Sequence, residues 1–399
     1  MPSKPTKAAQ LAGHQKLAID GGVPIRSTLL PYSRQNISEE DIASVSEALR
    51  SDIITRGPYV QNFERAVADM VEMPYAVAFC NATAALHAVM AMIGAEKGRV
   101  ITSPITFAAT SNSVLYCNGK AEFQDVESST MNLDPHSLKD LKDVVGVVPV
   151  DFSGNPCDYP EFQKLQAKYK FRLISDAAHS LGATLNKKPA GSFADITVFS
   201  FHPVKSLTTG EGGMVVCKNK EEAEFLQRFR SHGIVRTETP GFYRQEFLGF
   251  NYNVTDIQCA LGLSQLKSLP NFISRREEIA MQYNEFFAKS DLVDIPVLTK
   301  GARSAWHLYP LRLKLEKLTT DRVQFLRALN AENIGANVHY IPVYWHPHYE
   351  RMGYKRGLCP KAEHEYLREI SIPVFPGMTA KDISDVCQAV EKVLAAYSR

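Results

Sequence analysis

Asp195-Ile-Thr-Val-Phe-Ser-Phe-His-Pro-Val-Lys205, continued by Ser206-Leu-Thr-Thr-Gly-Glu-Gly-Gly213, is the stretch on which the reading of the fold turns. Its first half is a β-branched and aromatic run, which predicts a buried strand. Pro203 stops the strand, because proline cannot donate to a sheet ladder. Lys205 then stands in a loop that closes on Gly210, Gly212 and Gly213. A lysine on a tight connection just past a buried strand sits at the mouth of a sheet, where α/β proteins place their ligands. Lysine is also the residue that forms Schiff bases with carbonyl groups. Taken alone, a lysine after a strand is more often a structural or surface residue, so the rest of the chain has to decide.

Short apolar runs recur on either side of this stretch. Tyr75–Cys80, Arg99–Ser103, Ala121–Asp125, Val144–Val150, Arg172–Asp176 and Gly213–Cys217 read as strands. Between them lie patterns of helical period: 40–51 with Ser38 as its N-cap, 59–70, 84–93, 107–118, 160–169 and 221–230. Alternating β and α segments of these lengths predict an α/β fold with a mainly parallel, seven-stranded sheet flanked by helices. A helix over 255–269 is expected to close at Pro270, with a long helix over 274–289 after it. Beyond residue 290 the pattern changes to an α+β one, with strands at 307–313, 336–340 and 370–373 and helices at 320–332, 361–368 and 381–397. The glycine- and aromatic-rich segment 241–253 is expected to be irregular, and a loop rich in His, Pro and Tyr spans 341–354. The expected organisation is a mobile N-terminal extension (1–30), a large domain (31–273) and a small α+β C-terminal domain (274–399).

The 399 residues carry 45 basic and 43 acidic side chains, for a formal net charge of +2. That balance leaves no electrostatic footprint for nucleic acid. No apolar run approaches the roughly 18 residues that span a bilayer, and the basic N-terminal segment lacks the apolar core of a signal peptide. The seven cysteines are scattered, without a CxxC pair, which fits free thiols in a reducing cytoplasm and argues against a zinc site.

Pyridoxal phosphate (PLP) makes four demands, and the chain meets them in a sensible order. Its phosphate needs N–H and hydroxyl donors. The Asn81-Ala82-Thr83 turn between a strand and a helix exposes amides and a hydroxyl at a helix N-terminus, and Ser200 adds a second hydroxyl. Its ring needs an aromatic face, for which Phe107 is the candidate. Its pyridine nitrogen needs a carboxylate, and Asp176 lies just past a strand. Its aldehyde needs an amine, and Lys205 follows on the next strand. Each residue also has a plainer reading: Asn81 and Thr83 as an ordinary helix cap, Asp176 as a turn cap, Phe107 as core, Ser200 as an inward hydroxyl bonded to backbone. His179 reads either as a residue near the ring or as a packed core histidine.

Three blocks carry a resemblance. Asp176-Ala-Ala-His-Ser-Leu-Gly-Ala183, Gly191-Ser-Phe-Ala-Asp-Ile-Thr-Val-Phe-Ser-Phe-His-Pro-Val-Lys205 and Thr208-Thr-Gly-Glu-Gly-Gly213 resemble the DegT/DnrJ/EryC1/StrS family of PLP-dependent nucleotide-sugar aminotransferases. Ile54-Thr55-Arg-Gly57-Pro58, Pro104-Ile-Thr-Phe-Ala-Ala-Thr110, Arg230-Ser-His-Gly233 and Asn251-Tyr-Asn253 support it. Within the family the likeness points to the PseC type, through Asn81-Ala-Thr-Ala-Ala-Leu86, His307-Leu-Tyr-Pro310 and Val338-His-Tyr-Ile-Pro-Val-Tyr344.

The resemblance implies PLP-dependent transferase fold type I and a cofactor cycling through pyridoxamine phosphate. It implies a UDP-4-keto-6-deoxy-N-acetyl hexose and L-glutamate as substrates, with a 4-amino sugar of the pseudaminic acid pathway as product. The alternative is another NDP-4-keto or 3-keto sugar. It also implies a homodimer with shared active sites, in which Asn253 reaches the phosphate of the neighbouring subunit. Thr55, Gly57, His232, His339, Tyr340 and Tyr344 are candidates for the sugar site. Many members carry glycine where this chain has Ala82, so the phosphate turn is expected to differ slightly. Relatives with histidine in place of the lysine run a dehydration, and Lys205 therefore favours transamination. Three other readings stay open from the residues alone: a PLP enzyme of different outcome, a non-catalytic regulator that keeps the pocket, and a PLP-free nucleotide-sugar binding module.

Overall fold

The computed structural model describes residues 16–399. Seven strands build the central sheet: β1 (Tyr75–Phe79), β2 (Arg99–Thr102), β3 (Lys120–Phe123), β4 (Val144–Val148), β5 (Arg172–Asp176), β6 (Ile196–Ser200) and β7 (Gly213–Cys217). Their order is β1-β7-β6-β5-β4-β2-β3. The pairs from β6 through β3 are parallel, and β7 runs antiparallel between β1 and β6. Successive side chains leave opposite faces of a strand. Val77, Phe79, Val198 and Val215 accordingly join one core cluster, while Ala78, Phe199, Met214 and Val216 join another. Helices cover both faces, which is why the strands read as continuous apolar runs rather than alternating ones.

The helices that matter for the site are α1 (Glu39–Leu49), α2 (Pro58–Met70), α3 (Ala82–Ile93), α4 (Ala109–Tyr116), α5 (Tyr159–Tyr169) and α6 (Lys220–Arg230). After them α7 runs unbroken over Asp256–Phe287, with Pro270 inside it. This corrects the expectation that a helix ends at Pro270. An interior proline costs ~3 kcal/mol. Leu266, Leu269 and Ile273 are buried on both sides of it, and each such side chain contributes about 1.5–3 kcal/mol. Burial therefore outweighs the lost hydrogen bond. Thr255 starts α7 through a capping box with Gln258.

α7 belongs to two cores. Cys259, Leu266, Leu269 and Ile273 pack on the large sheet, whereas Ile279, Ala280, Tyr283 and Phe287 pack on a smaller three-stranded antiparallel sheet. That sheet comprises β8 (Val293–Asp294), β9 (Tyr309–Leu313) and β10 (Glu369–Ile372), in that order. The helices α8 (Arg322–Ala331), α9 (Pro360–Arg368) and α10 (Ala380–Tyr397) complete this half. The expected boundary at 273/274 thus falls within one helix.

Two further expectations change. The strand expected over 336–340 is a single bridge between Asn337 and Ser371. The amide of Val338 donates to the side chain of Asn337 at 2.8 Å and that of His339 to the Glu369 side chain at 2.9 Å, instead of continuing a ladder. The segment 241–253, expected to be irregular, begins with the second arm of a short hairpin that pairs Tyr243–Gln245 with Ile234–Arg236.

The expected N-terminal extension divides. Residues 1–15 lie outside the described residues. From Leu17 to Leu30 the chain is anchored at its two ends, where both leucines sit in the core of the smaller sheet, while the residues between them are exposed or half-buried. Glu332 and Lys392 hold this strap. The Glu332 carboxylate accepts from the amides of Ala18 and Ile25, each at 2.9 Å, and pairs with Nζ of Lys392 at 2.8 Å. Nζ also donates to the carbonyl of Val23. Both charges are sealed from solvent. Lys392→Met is expected to destabilise the protein by about 3–5 kcal/mol, because an uncompensated carboxylate is left buried. A urea titration checks this, and a loss below about 1 kcal/mol would show that the pair is not what holds the strap.

Candidate active site

The site forms where the carboxyl ends of β5 and β6 meet the N-terminus of α3. Asp176 ends β5 and Ser200 ends β6. Asn81 caps α3, its Oδ1 accepting from the amide of Ala84 at 2.8 Å. The amides of Ala82 and Thr83, in the first turn, are among those a helix leaves without an internal partner. The close meeting of β7 with this turn depends on Gly213. A Cβ there would stand 2.6 Å from the amide nitrogen of Ala82 and from the peptide of Asn81. Glycine lets the strand backbone press against the helix start.

Lys205 is carried by a loop closed on itself. The amide of Phe201 donates to Gly212, and those of Thr209 and Lys205 donate to Phe201 and His202. Thr208 Oγ1 donates to the Phe201 carbonyl at 3.0 Å and accepts from the Gly210 amide at 2.9 Å. The loop thus holds its shape without help from the lysine side chain.

One cavity of about 620 Å³ collects most of the expected residues. Ala82, Thr83, Phe107, Asp176, His179, Ser200, Lys205, His339 and Tyr340 all line it. The others lie elsewhere. The Gly57 amide donates to Asp256 at 2.7 Å, and Thr55 bridges Thr255. Asn253 accepts from Ser231 and donates to Asn251. His232 sits in the left-handed region, its amide bonded to Phe250. None of these four lines the cavity of its own chain. Tyr344 is a correction of another kind. It is fully buried beside Phe123, with its hydroxyl donating to Glu363 at 2.6 Å and accepting from the Cys359 amide. It is a core residue rather than a wall of the cavity.

Asp176 is buried, and both of its oxygens are engaged. Thr110 Oγ1 donates to Oδ2 at 2.7 Å, and the amide of Ala178 donates to Oδ1 at 3.2 Å. Burial still raises its pKa, against these two bonds and the charge of Lys205. Lys205 is lowered to about 8, by desolvation opposed only by the charge of Asp176. The residue as a whole is half-buried, and it lines the cavity. His179 is held neutral, well below its ordinary value, by burial and then by the charge of Lys205. Its Nε2 meets the Tyr340 hydroxyl at 3.1 Å, while its Nδ1 is buried without a partner.

Thr110 was not singled out for a role, although it lies within Pro104–Thr110. Its signal was the spacing from Thr106, one turn away, to which it bonds at 2.7 Å. Tyr32, His202, Glu211 and Asn337 also line the cavity; His202 and Glu211 belong to the stretch around Lys205 but were given no role, and no local pattern marked Tyr32 or Asn337.

These observations fit PLP. The cavity volume lies in the usual range for small-molecule sites, about 300–1,000 Å³. A buried carboxylate with one nearby cation has room for a second one, such as a protonated ring nitrogen. The orphaned Nδ1 of His179 awaits a polar partner, and Phe107 keeps 64% of its surface exposed at the cavity wall. Free amides at the α3 N-terminus suit a phosphate.

Comparison with known proteins agrees. The model of the DegT/DnrJ/EryC1/StrS aminotransferase family matches residues 35–391. The UDP-4-amino-4,6-dideoxy-N-acetyl-beta-L-altrosamine transaminase of Campylobacter jejuni is 36% identical over 370 residues, 92% of this chain and 98% of that protein. The solved structure of Helicobacter pylori PseC, an aminotransferase involved in the biosynthesis of pseudoaminic acid, superposes with a TM-score of 0.87 at 31% identity, covering 92% and 99% of the two chains. The sugar aminotransferase Spr1654 of Streptococcus pneumoniae, solved in its PLP form, gives 0.84 at 27% identity over 92% and 98%. The chain belongs to the DegT/DnrJ/EryC1/StrS aminotransferase family, with the fold of a PLP-dependent transferase of type I. It is a PLP-dependent sugar aminotransferase. Among the described residues no helix is long and apolar enough to cross a membrane.

Proposed function

We propose that this enzyme transfers the amino group of L-glutamate to C4 of a UDP-4-keto-6-deoxy-N-acetyl hexose, forming UDP-4-amino-4,6-dideoxy-N-acetyl-β-L-altrosamine. The observation that carries transamination is the lysine amine lowered to about 8 beside a buried carboxylate, in a cavity headed by a helix N-terminus. The sugar is read from the named substrates of the relatives. When bound, PLP supplies a carbonyl and an electron-withdrawing ring that carry the amino group between the two substrates, alternating with pyridoxamine phosphate.

The chain's own residues do the rest. Ala82, Thr83 and Ser200 hold the phosphate. Phe107 covers one ring face, and Asp176 pairs with the ring nitrogen. Nζ of Lys205, neutral in a desolvated setting, takes the proton from the α-carbon of glutamate and returns a proton to C4 of the sugar. His179 bonds toward the ring through its free Nδ1. His339 and Tyr340 face the sugar. A homodimer supplies Asn253 to the neighbouring phosphate, with Thr55, Gly57 and His232 at the shared edge. The free thiols fit the cytoplasm, where UDP-sugars and glutamate are met.

The test is to load the protein with PLP and add L-glutamate. The visible absorbance of the bound cofactor is expected to bleach, and to return on adding the UDP-4-keto sugar. A panel of UDP- and dTDP-keto sugars, with products identified by mass and NMR, fixes the acceptor. No bleaching would sink the donor assignment, and amination of another sugar alone would sink the acceptor.

A further inference from the structure

We propose that Glu369 and Ser371 fix the tautomer of His339, so that its Nε2 enters the cavity as a hydrogen-bond acceptor for an N–H or O–H group of the sugar. This rests on the reading of the cavity as the sugar site. Three bonds impose the order. The backbone amide of His339 donates to Oε2 of Glu369 at 2.9 Å. Ser371 Oγ donates to Oε1 of the same carboxylate at 2.5 Å. Ser371 Oγ also lies 2.8 Å from Nδ1 of His339.

An ionised carboxylate only accepts, and a serine hydroxyl has one proton to give. Once that proton points at Glu369, Oγ must accept from His339. Nδ1 therefore carries the ring proton and Nε2 carries the lone pair. Glu369 and Ser371 have no exposed surface, so no water competes for either bond. Nε2 has no hydrogen-bond partner among the described residues, and His339 lines the cavity between Tyr32 and Tyr340. The ring stays neutral, since burial and the charge of Lys205 lower it to about 3. Burial pushes Glu369 up to about 7, against its bonds to Ser371 and His339 and the charge of Arg322.

Glu369→Gln turns the order round. The His339 amide has only a proton to offer, so the glutamine carbonyl must face it and its NH2 must face Ser371. Oγ then accepts from the glutamine and gives its proton to Nδ1. The ring proton moves to Nε2, which becomes a donor.

The experiment is ¹⁵N NMR of the histidine-labelled PLP-loaded enzyme near pH 8.5, with KM for the keto sugar measured alongside. The native enzyme is expected to show a protonated Nδ1 at His339, assigned by loss of the signal in His339→Gln. Glu369→Gln is expected to show a protonated Nε2, with KM raised about tenfold to hundredfold and kcat changed less, because a donor then faces a donor. Ser371→Ala, which removes the link but keeps the carboxylate, is expected to leave a mixture of tautomers and an intermediate KM. A native ring protonated at Nε2 overturns the proposal, and so does a reversed tautomer with unchanged KM. The NMR outcome stands whatever sugar the enzyme takes, so a wrong acceptor is told apart from a wrong tautomer.

Discussion

Lys205→Ala is expected to fold normally, to bind PLP without a covalent link, and to lose on the order of 10²–10⁴-fold in turnover. The fold survives because the loop from Phe201 to Gly213 is closed by backbone and threonine hydrogen bonds that the substitution leaves intact. The loss is therefore chemical. On the proposed roles, alanine removes both the amine that joins the cofactor and the base that moves the proton on the glutamate α-carbon. Borohydride reduction followed by peptide mass analysis is expected to find the cofactor on Lys205 in the native chain and on no peptide in the variant. The lowered amine adds a pH signature. With a value of about 8, roughly one amine in ten is neutral at pH 7, against about one in a few thousand for an ordinary lysine. PLP uptake by the cofactor-free chain is expected to rise with pH and to level off above about 8. Near-native turnover in the variant would remove Lys205 from the mechanism, and uptake that still climbs about tenfold per pH unit between pH 8 and 9 would show that its amine is not desolvated.

The parts of the fold legible in the sequence were those with chemical punctuation. The strands at Arg172–Asp176 and Gly213–Cys217 have the expected ends, because a charged residue, a proline or glycines bound each apolar run. The residues that line the cavity were legible for the same reason: Asp176, Ser200 and Lys205 stand where strands stop. What was not legible depends on partners far along the chain. The packing of Leu17–Leu30 rests on the Glu332–Lys392 pair, more than 300 residues away, so the segment reads alone as a loose extension. Pro270 reads as a stop until the buried aliphatic residues on both sides of it are seen to hold one helix together. His339, Tyr340 and Tyr344 share one His- and Tyr-rich segment. The turn over Val343–Trp345, anchored by the Val343 amide on the carbonyl of Pro104, swings Tyr344 into the core. Composition marks such a segment but not which way each ring points.

Asp176→Asn tests the other half of the proposed catalytic pair, and it is expected to slow bleaching by glutamate on the order of 10²–10³-fold. The substitution changes charge and little else. The Ala178 amide can only donate, so it keeps the asparagine carbonyl at the position of Oδ1. The new NH2 then replaces Oδ2 opposite Thr110. Thr110 Oγ1 accepts from it and turns its own proton to Thr106 Oγ1, 2.7 Å away, or to the carbonyl of Phe107. The pocket thus keeps its shape, while a bound ring nitrogen would face a neutral amide instead of an anion and would no longer hold its proton. PLP that is methylated at the ring nitrogen carries that positive charge permanently. Loaded into Asp176→Asn, it is expected to bleach with glutamate substantially faster than ordinary PLP in the same variant. In the native chain the methylated cofactor should bring no such gain, because Asp176 already maintains the charge. Equal rates for the two cofactors in the variant would mean that Asp176 acts by positioning the ring, and a variant as fast as the native enzyme would place the ring nitrogen elsewhere in the cavity.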